Sequence, residues 1–422
     1  MIGIVGGGLT GLALGHELER RGTEWVLLEA APRPGGVIRS LSVGDHVLEA
    51  GPQRARMTPS MRSLIDELDL GDRVVAAPDT LPLLVYHAGE LRRVPLDATG
   101  LLRTSLLSLP ARLRLLAEPL TEGLRAEESV RDFLVRKFGQ QAYSNVLGPL
   151  YGGLYASDPA DMPARHALRG TLEEMGIRRS VVAAMLKRRL RGSRRPAAPP
   201  FSFVDGMQEL TDALWRRHAG RVRTGSRVRR IARRGAGWVL LLEGSAETIE
   251  CSHVVVTVPA DAAAALLRDV DPDASARLAR LRYNPLAIAH LRSELELRAL
   301  GYQVAFGESL ETRGVTFNHA LFERTGVQTA FLGGARNPGI VDMPDEWIGE
   351  ISCNEFRHVT GADAALLNIE RARVPAWDAS WAALGGLELP DGIRLAANYE
   401  SRIGIPGRLG QARALAAELG DA

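Results

Sequence analysis

A glycine-rich segment near the N-terminus has the spacing of a dinucleotide-binding loop. Gly6, Gly8 and Gly11 occupy the three glycine positions of a GxGxxG motif. In such a motif the first glycine permits a tight turn, the second lets the backbone approach a pyrophosphate, and the third lets the next helix pack closely against the preceding strand. The chemistry that this spacing indicates is the binding of a phosphorylated dinucleotide at a helix N-terminus.

The elements that must position this loop are also visible in the sequence. The apolar run 2–5 predicts a buried parallel strand, and the apolar pattern of 9–18 predicts a helix after the loop. A second strand over 25–28 ends in Glu29, 18 residues after Gly11, where a carboxylate can accept hydrogen bonds from ribose hydroxyls. Glu29 would repel the 2′-phosphate of NADP, which leaves NAD and FAD open at this point. A glycine-rich turn beside a solvated glutamate is the alternative.

The rest of the composition excludes several other classes of protein. The chain has 422 residues, and its 52 Lys+Arg against 50 Asp+Glu give no chain-wide nucleic-acid footprint. Cys251 and Cys353 form no CxxC motif, no two histidines fall within four residues of each other, and no GxSxG sequence occurs. These absences argue against a disulfide framework, a metal site and Ser-triad chemistry. Lys137 and Lys187 are the only candidates for a mechanism that needs a lysine.

The sequence also bears on membranes and compartment. No apolar run reaches the ~18 residues that span a bilayer, and the apolar stretch 2–15 has no basic region before it. We therefore expect no signal peptide and a cytoplasmic, reducing location. The run 187–195 packs six cations into nine residues after the amphipathic segment 181–186, which predicts a peripheral contact with anionic lipid on the inner face of the membrane. A solvated helix end is the alternative.

A second signature follows Glu29. Arg33-Pro34-Gly35-Gly36-Val37-Ile38-Arg39-Ser40 continues the loop, and Leu48-Glu49-Ala50-Gly51-Pro52 comes after it. These stretches resemble the flavin-containing amine oxidase and protoporphyrinogen oxidase superfamily, whose second FAD signature reads Gly-Gly-x-(Ile/Leu)-Arg. The resemblance implies FAD as the cofactor. The chain has no second GxGxxG, so we expect dioxygen or a small acceptor to reoxidise the flavin.

The resemblance implies which residues contact FAD. The predicted contacts are Gly6, Gly8, Leu9, Thr10, Gly11, Glu29, Ala30, Gly36, Val37, Arg39, Gly51, Pro52, Val228, Ile403, Gly404 and Ile405. Val228 would contact the adenine through its backbone, although an apolar strand residue is often only part of the core. The segment 401–406 contains no Cys or His that could attach the ring, so FAD is expected to be non-covalent. No metal site is predicted.

The resemblance also implies the fold class, which is α/β, with a Rossmann-type FAD/NAD(P)-binding domain interrupted by a mixed α+β substrate domain. The FAD-binding segments are expected at 1–79, 201–265 and 373–422. The segment 80–200 is expected to be a helical substrate or membrane-contact region, and 266–372 to form the substrate-domain sheet. Patterns within these segments predict local elements, namely a strand over 222–231, a hairpin over 238–249, a strand over 395–399 and a final helix over 408–419.

Several internal segments resemble the protoporphyrinogen oxidase branch of the superfamily. They are Gly152–Pro159, Phe201–Leu210, Gly314–Phe317 and Phe331–Pro338. Amine oxidases of the superfamily typically place a lysine near flavin N5, but the corresponding segment, 283–291, contains none. His290 lies in that segment, either as a substitute for the lysine or as a packing residue.

The resemblance implies the oxidation of a porphyrinogen, protoporphyrinogen IX to protoporphyrin IX, with dioxygen as the acceptor. Six electrons leave the substrate, so a two-electron flavin must turn over three times. Coproporphyrinogen III is the alternative substrate. A flavin oxidase acting on an amine and a non-catalytic FAD-binding protein are the other hypotheses. The expected partners are a tetrapyrrole and dioxygen, without nucleic acid.

Two positions depart from the family pattern. Leu83 stands where many members carry a substrate-side arginine, and Arg402 stands at a usual glycine position beside the flavin. We predict that Arg402 supplies the missing cation and pairs with a propionate of the substrate. The alternative is that Arg402 points to solvent or pairs with Glu400 or Asp391.

Overall fold

A computed structural model describes residues 1–79, 81–95, 100, 103–190, 198–400 and 404–420. Its first large element is a parallel sheet made of β1 (Ile2–Val5), β2 (Trp25–Leu28), β10 (Val222–Arg223), β14 (His253–Val256) and β20 (Ile393–Leu395). The strand order is β10-β2-β1-β14-β20, and every neighbouring pair is parallel. Strands from three separated parts of the chain therefore meet in one sheet.

Helices bury the parallel sheet, which is why its strands are apolar throughout. All four residues of β1 and all four of β2 are buried. The helices around them are α1 (Leu9–Arg20), α2 (Pro59–Glu67), α10 (Gln208–Arg217) and α15 (Ile405–Gly420). α1 packs against both α15 and α10. Ile4, Leu14, Leu27 and Ala416 belong to the core that these elements share.

Three predicted elements have different limits in the structure. The predicted strand 222–231 is divided, because Gly225 has a φ of 62° and turns the chain, after which β11 (Val228–Arg234) joins another sheet. The predicted strand 395–399 ends at Leu395, since the backbone N–H of Glu400 bonds the carbonyl of Ala397 in a turn. The final helix begins at residue 405 instead of 408.

A three-stranded antiparallel sheet lies against the parallel one. It consists of β11, β12 (Gly237–Leu242) and β13 (Thr248–Cys251), so the hairpin predicted over 238–249 is present. A Cβ at Gly3 of β1 would lie 2.6 Å from Sγ of Cys251, which shows how closely the two sheets approach. Two helices, α11 (Ala260–Leu267) and α12 (Pro272–Leu278), follow β14 and share the core of this region.

The second large element is a seven-stranded sheet. Its strands are β7 (Leu83–His87), β8 (Glu90–Arg93), β15 (Tyr283–Arg292), β16 (Gly301–Val304), β17 (Thr312–Phe317), β18 (Val327–Gly333) and β19 (Ala365–Pro375). The order is β19-β15-β18-β17-β16-β7-β8, and only β16 with β7 is a parallel pair among these strands. Two helices, α13 (Asn318–Phe322) and α14 (Asp345–Thr360), pack against it.

This sheet differs from the predicted segment limits in two places. β7 and β8 lie inside the segment 80–200, which was predicted to be helical. They form a hairpin because Ala88 and Gly89 have φ angles of 52° and 79°, as a two-residue type I′ turn requires. β19 also crosses the predicted limit at 372, because its pairing with β15 continues to Pro375.

The remaining part of 103–190 is helical. It contains α3 (Leu109–Leu116), α4 (Val130–Phe138), α5 (Gln140–Ala142), a π-helical segment (Tyr143–Leu147), α6 (Gly148–Tyr155), α7 (Ala164–Ala167), α8 (Arg169–Glu174) and α9 (Val181–Leu190). Ser129 caps α4 by accepting a hydrogen bond from the backbone N–H of Asp132 at 3.0 Å. Across the described ranges, no helix has both the length and the apolar composition needed to cross a bilayer.

Two small sheets connect the large ones. The first is the hairpin of β3 (Ser40–Val43) and β4 (His46–Glu49), and the second contains β5 (Ala55–Arg56), β6 (Val74–Ala76) and β9 (Pro200–Phe203) in the order β5-β9-β6. Short 3-10 turns complete the described structure at Gly71–Arg73, Glu118–Leu120, Ala219–Arg221, Pro338–Asp342 and Ala379–Leu384.

Candidate active site

The turn between β1 and α1 is built from glycines that have no room for a side chain. Gly6 has a φ of 110°, and a Cβ there would lie 2.7 Å from Oγ1 of Thr257. A Cβ at Gly11 would overlap the carbonyl oxygen of Gly6. Thr257, which the sequence analysis did not single out, donates its hydroxyl to that same carbonyl at 2.8 Å. The strand and the helix therefore approach each other as closely as the motif requires.

Gly8 differs from these two glycines because open space lies beside it. It is the N-cap of α1, with φ −68° and ψ 174° and without a side-chain cap. No heavy atom lies within 4 Å of the position that its Cβ would take. Leu9 and Thr10 begin the helix, whose first N–H groups have no acceptor within the helix. An uncapped helix N-terminus facing open space is a binding site for an anion.

The carboxylate of Glu29 is held in one orientation by two backbone donors. The N–H of Gly7 donates to its Oε2 at 2.6 Å, and the N–H of Ala31 donates to its Oε1 at 2.7 Å. Each oxygen keeps acceptor capacity for a ligand hydroxyl. The N–H of Ser226 also bonds the carbonyl of Glu29 at 2.8 Å, which brings the segment before Val228 beside it.

The second signature packs directly against the glycine loop. Gly36 has a φ of 60°, and a Cβ there would lie 3.1 Å from Cα of Gly8. A Cβ at Gly51 would overlap the carbonyl oxygen of Val37, so these two stretches are also in contact. The Val37 side chain is 62% exposed and adds an apolar surface beside the loop. Pro52 follows Gly51 and is half-buried.

The residues brought together here fit FAD. The open space at Gly8 and the N-terminus of α1 would hold the pyrophosphate, and Glu29 would hold ribose hydroxyls. The exposed face of Val37 would pack against a ring of the cofactor. These residues come from the loop 6–11, the end of β2 and the segment 36–52, and the close approach of Gly36 to Gly8 joins the first of these to the last.

Other predicted contacts lie in different surroundings. Arg39 forms an ion pair with Glu370 of β19 and so links the start of the β3–β4 hairpin to the seven-stranded sheet. Val228 pairs with Leu242 and lies in the core, as expected for a packing residue. Ala30 is exposed.

The structure describes two of the three FAD contacts predicted near the C-terminus, Gly404 and Ile405. Gly404 has a φ of 107° and lies just before α15, and Ile405 is the buried first residue of that helix. Ile403 and Arg402 lie outside the described residues.

A comparison with known protein families shows to which class of enzyme this chain belongs. The family described as flavin containing amine oxidoreductase matches residues 9–391. The chain belongs to this family. It is a FAD-dependent oxidoreductase, and the predicted α/β fold with a Rossmann-type domain is confirmed.

Relatives of this flavoprotein occur in plants and bacteria. The chain is 27% identical over 399 residues to the chloroplastic protoporphyrinogen oxidase 1 of Spinacia oleracea, covering 84% of this chain and 70% of that protein. It is 28% identical over 335 residues to the coproporphyrinogen III oxidase of Mycobacterium leprae, covering 75% of this chain and 72% of that protein. A crystal structure of a candidate protoporphyrinogen oxidase from Exiguobacterium is similar with a TM-score of 0.80 at 21% identity, covering 99% of this chain and 98% of the other.

Two of the segments that resemble the porphyrinogen oxidase branch, Gly152–Pro159 and Phe331–Pro338, meet at one end of the seven-stranded sheet of this flavoprotein. The backbone N–H of Ala335 donates to the carbonyl of Ala156 at 2.8 Å. The side-chain amide of Asn284 donates to the hydroxyl of Ser157 at 2.9 Å. The ends of β15 and β18 are therefore bonded to the turn that follows α6.

A buried polar network joins the seven-stranded sheet to the segment 36–52, which we call the FAD-side loop. Oε1 of Glu49 lies 2.9 Å from Nη2 of Arg324, and both side chains are buried. Burial raises the pKa of Glu49, although the charge of Arg324 acts in the opposite direction. Nε2 of His290 lies 3.0 Å from the carbonyl oxygen of Glu49, and burial lowers the pKa of His290. A buried ring bonded to a backbone carbonyl favours the packing interpretation of His290.

Sequence reasoning missed Glu49 and Arg324 as a pair. Glu49 belongs to the second signature, and its place at the end of a buried strand indicates that a buried carboxylate needs a partner. Nothing in the sequence around Arg324 identifies that partner, since 275 positions separate the two residues.

Both lysines lie away from the strand where an amine oxidase would need one. Nζ of Lys137 lies 2.7 Å from Oε1 of Glu118, and both side chains are fully buried. Burial raises the pKa of Glu118, but hydrogen bonds from Lys137 and Ser180 outweigh it and leave the pKa below its ordinary value. Lys187 is exposed on α9. Within the described ranges, no three His, Cys, Asp or Glu side chains are grouped so that they could hold a metal ion.

Proposed function

We propose that this flavoprotein oxidises a porphyrinogen, and specifically protoporphyrinogen IX to protoporphyrin IX. The substrate loses six electrons and six protons, and three molecules of dioxygen take them up as three molecules of hydrogen peroxide. FAD, when bound, supplies the two-electron acceptor that mediates each of the three steps. The relatives named as porphyrinogen oxidases, which match three quarters or more of this chain, support this choice.

One observation carries the choice of a porphyrinogen over an amine. β15 contains no lysine. The segment 283–291, where an amine oxidase would carry that lysine, instead holds the buried His290, whose ring bonds a backbone carbonyl. Lys137 forms a buried ion pair with Glu118, and Lys187 is exposed on α9, outside that strand. The lysine that assists amine oxidation in this superfamily therefore has no equivalent at that strand.

The chain's own residues mainly bind and orient in this proposal. Gly8 and Glu29 hold the cofactor, while Phe331, a partly exposed residue of β18, offers apolar surface to the macrocycle of the substrate. Pyrrole N–H protons are lost to solvent as electrons leave, so we assign no general base.

An oxidase assay with several substrates tests the proposal. Protoporphyrinogen IX, coproporphyrinogen III and a set of primary amines are supplied in air, and porphyrin and hydrogen peroxide are measured. The proposal predicts three peroxides for each porphyrin formed and no turnover of amines. Coproporphyrinogen III is the second candidate substrate, favoured by the relatives of that name in bacteria. A higher kcat/KM for coproporphyrinogen III would select it, and turnover of amines alone would reject both.

We also propose that the helical region makes a peripheral contact with a membrane. α3 and the turn after it carry four exposed leucines, Leu109 at 67%, Leu113 at 58%, Leu116 at 59% and Leu120 at 81%. Leu109, Leu113 and Leu116 fall within about 60° of one helix face at 100° per residue. Such a face is the size of an interfacial contact and is too short to span a bilayer.

The charges around this leucine face suit anionic lipid. Arg103 is exposed, and Arg114 donates to the carbonyl of Lys137 at 3.4 Å, a contact that leaves its charge in place. α9 packs on the turn after α3, and its Lys187 is exposed. The basic run that was predicted to touch lipid continues from Lys187, but 191–195 lie outside the described residues. Porphyrins are poorly soluble in water, so an enzyme held at a membrane surface could exchange them there.

A further inference from the structure

Arg54 is a buried cation that lacks a partner in the described structure. Its Nη1 is buried and has no hydrogen-bond partner. Burial lowers the pKa of Arg54, and the neighbouring charge of Arg56 lowers it further, while no carboxylate acts in the opposite direction. The residue as a whole keeps partial exposure, so a ligand can reach the guanidinium. A buried charge without a partner is costly, and the cost is removed when an anion binds.

The position of Arg54 ties it to the FAD-side loop. It lies three residues after Gly51, which contacts Val37, and three residues of extended chain span at most about 10 Å. Gln53, directly before Arg54, is fixed on both sides, because its amide donates to the carbonyl of Glu49 at 3.0 Å and its Oε1 accepts from Asn318 at 3.0 Å. Arg54 therefore stands where the FAD-binding part meets the seven-stranded sheet.

The strand register shows which way the Arg54 side chain points. Ala55 pairs with Phe201, and both side chains lie in the core beneath the parallel sheet. Arg54 directly precedes β5, and continuing the antiparallel register by one residue places it opposite Ser202, on the face away from that core. That face is turned toward the seven-stranded sheet, because Ser202 accepts a hydrogen bond there from Arg324 at 2.9 Å.

Arg324 provides an internal comparison for Arg54. Both arginines are on the same side of the small sheet, but Arg324 has Glu49 as a counter-ion 2.9 Å away. The protein thus neutralises one buried guanidinium with its own carboxylate and leaves the other without one. This difference indicates that an anion from outside the chain completes the site at Arg54.

We propose that Arg54 binds a carboxylate of the substrate at the junction between the FAD-side loop and the seven-stranded sheet. This inference rests on the proposed function, because it takes the anion to be a propionate of the porphyrinogen. The family position occupied by Leu83 lacks an arginine here, so Arg54 supplies a cation from another strand. The same guanidinium could instead meet an anionic group of FAD, and the test separates these two sources.

The test compares Arg54→Gln and Arg54→Lys with Arg56→Gln in the holoenzyme. Arg56 is a matched control, because it is an arginine two residues further along the chain, is exposed, and donates only to the carbonyl of Ala198 at 3.1 Å among the described residues. FAD content and FAD affinity are measured first. Protoporphyrin IX and its dimethyl ester are then titrated by fluorescence, and KM and kcat are measured with protoporphyrinogen IX.

The proposal predicts that Arg54→Gln weakens binding of the dicarboxylic porphyrin by about tenfold or more. Binding of the dimethyl ester, FAD content and kcat should stay close to those of the unchanged enzyme, and Arg54→Lys should recover part of the loss. Arg56→Gln should behave like the unchanged enzyme. Equal porphyrin affinity in Arg54→Gln and the unchanged enzyme would overturn the proposal, as would a loss confined to FAD affinity.

This design separates failure of the inference from failure of the proposed function. If the unchanged enzyme oxidises protoporphyrinogen IX and Arg54→Gln has the same KM, the role of Arg54 alone is wrong. If the unchanged enzyme neither binds protoporphyrin IX nor oxidises the porphyrinogen, the proposed function is wrong and the role of Arg54 is wrong with it.

Discussion

A Cβ on Gly36 would lie 3.1 Å from Cα of Gly8, so the second signature presses directly against the loop that would hold a pyrophosphate. The two glycines are 28 positions apart and belong to separate motifs. Their contact makes one surface out of two short patterns. On this surface the backbone of Gly8 is available to a ligand because neither residue has a side chain.

Gly8→Ala should weaken FAD retention while leaving the fold unchanged. The φ of −68° at Gly8 suits any residue, and a new Cβ would meet no protein atom, so the apoprotein should fold normally. The Cβ would instead press against the cofactor, and such overpacking costs about 1–3 kcal/mol, or roughly five- to 150-fold in FAD affinity. Gly410→Ala is the control, since it also meets no atom and lies on the exposed side of α15. FAD-to-protein ratios that are equal for the two variants would contradict this assignment.

Much of this surface could be predicted from sequence because its signals are local. Gly6, Gly8, Gly11 and Glu29 lie within one strand-helix-strand unit, in which the positive φ of Gly6 and the close packing at Gly11 both require glycine. The partner of Arg39 could not be predicted in the same way. Glu370 is 331 positions away on β19, and only the packing of the β3–β4 hairpin beside the seven-stranded sheet brings it to Arg39.

The elements that sequence analysis misplaced have equally physical causes. The segment 80–200 is rich in helical patterns, but β7 and β8 are short strands, and β7 pairs with β16, which lies more than 200 positions later in the chain. The predicted strand 222–231 contains Gly225, and the turn at that residue depends on a φ that the sequence pattern does not reveal. The buried Arg54 has no local signal, because its isolation depends on which acids the fold brings near.

Lys137→Met should destabilise the helical region strongly. It would leave Glu118 buried without its cation, and breaking one partner of a buried pair costs about 3–5 kcal/mol. Because Glu118 also accepts from the backbone N–H of Val181 at 3.0 Å, the docking of α9 should weaken as well. Thermal unfolding and hydrogen exchange of α9 would measure this loss. Lys187→Met, the exposed lysine, should unfold as the unchanged protein does, and Lys137→Met together with Glu118→Gln should recover stability. A Lys137→Met protein as stable as the Lys187→Met protein would show that the pair contributes little.

Anionic vesicles should bind this protein through the leucine face of α3. In flotation with vesicles of phosphatidylglycerol and phosphatidylcholine, Leu113→Glu with Leu116→Glu should reduce the bound fraction by about tenfold or more, since each buried leucine contributes about 1.5–3 kcal/mol. Leu297→Glu with Trp347→Glu changes two exposed apolar residues elsewhere and serves as the control. Vesicle binding that is unaffected by the α3 variant, or absent from the unchanged protein, would refute the membrane contact.

The free energy of unfolding should decrease as the pH falls, over a pH range set by the pKa of His218. Nε2 of His218 lies 3.0 Å from Nδ1 of His16, and burial, aided by the charge of His16, lowers the pKa of His218 to about 4. The unfolded histidine titrates near ~6.5, so the unfolded state binds the proton first. The contribution is therefore complete above about pH 6.5 and is lost as pH falls toward about 4. His218→Gln should flatten the change of Tm across this window, and His46→Gln on β4 should not. An unchanged pH profile in His218→Gln would assign the acid sensitivity to other groups.

The reduction of bound flavin by a porphyrinogen tests the central claim most directly. The purified holoenzyme is mixed with protoporphyrinogen IX without oxygen, and the visible absorption of oxidised flavin is followed. We predict that the band bleaches, that one porphyrinogen bleaches up to three flavins because it carries six electrons, and that admitting oxygen restores the band with protoporphyrin IX as the product. A flavin band that persists with protoporphyrinogen IX and coproporphyrinogen III, or that bleaches only with an amine, would contradict the assignment of this chain as a porphyrinogen oxidase.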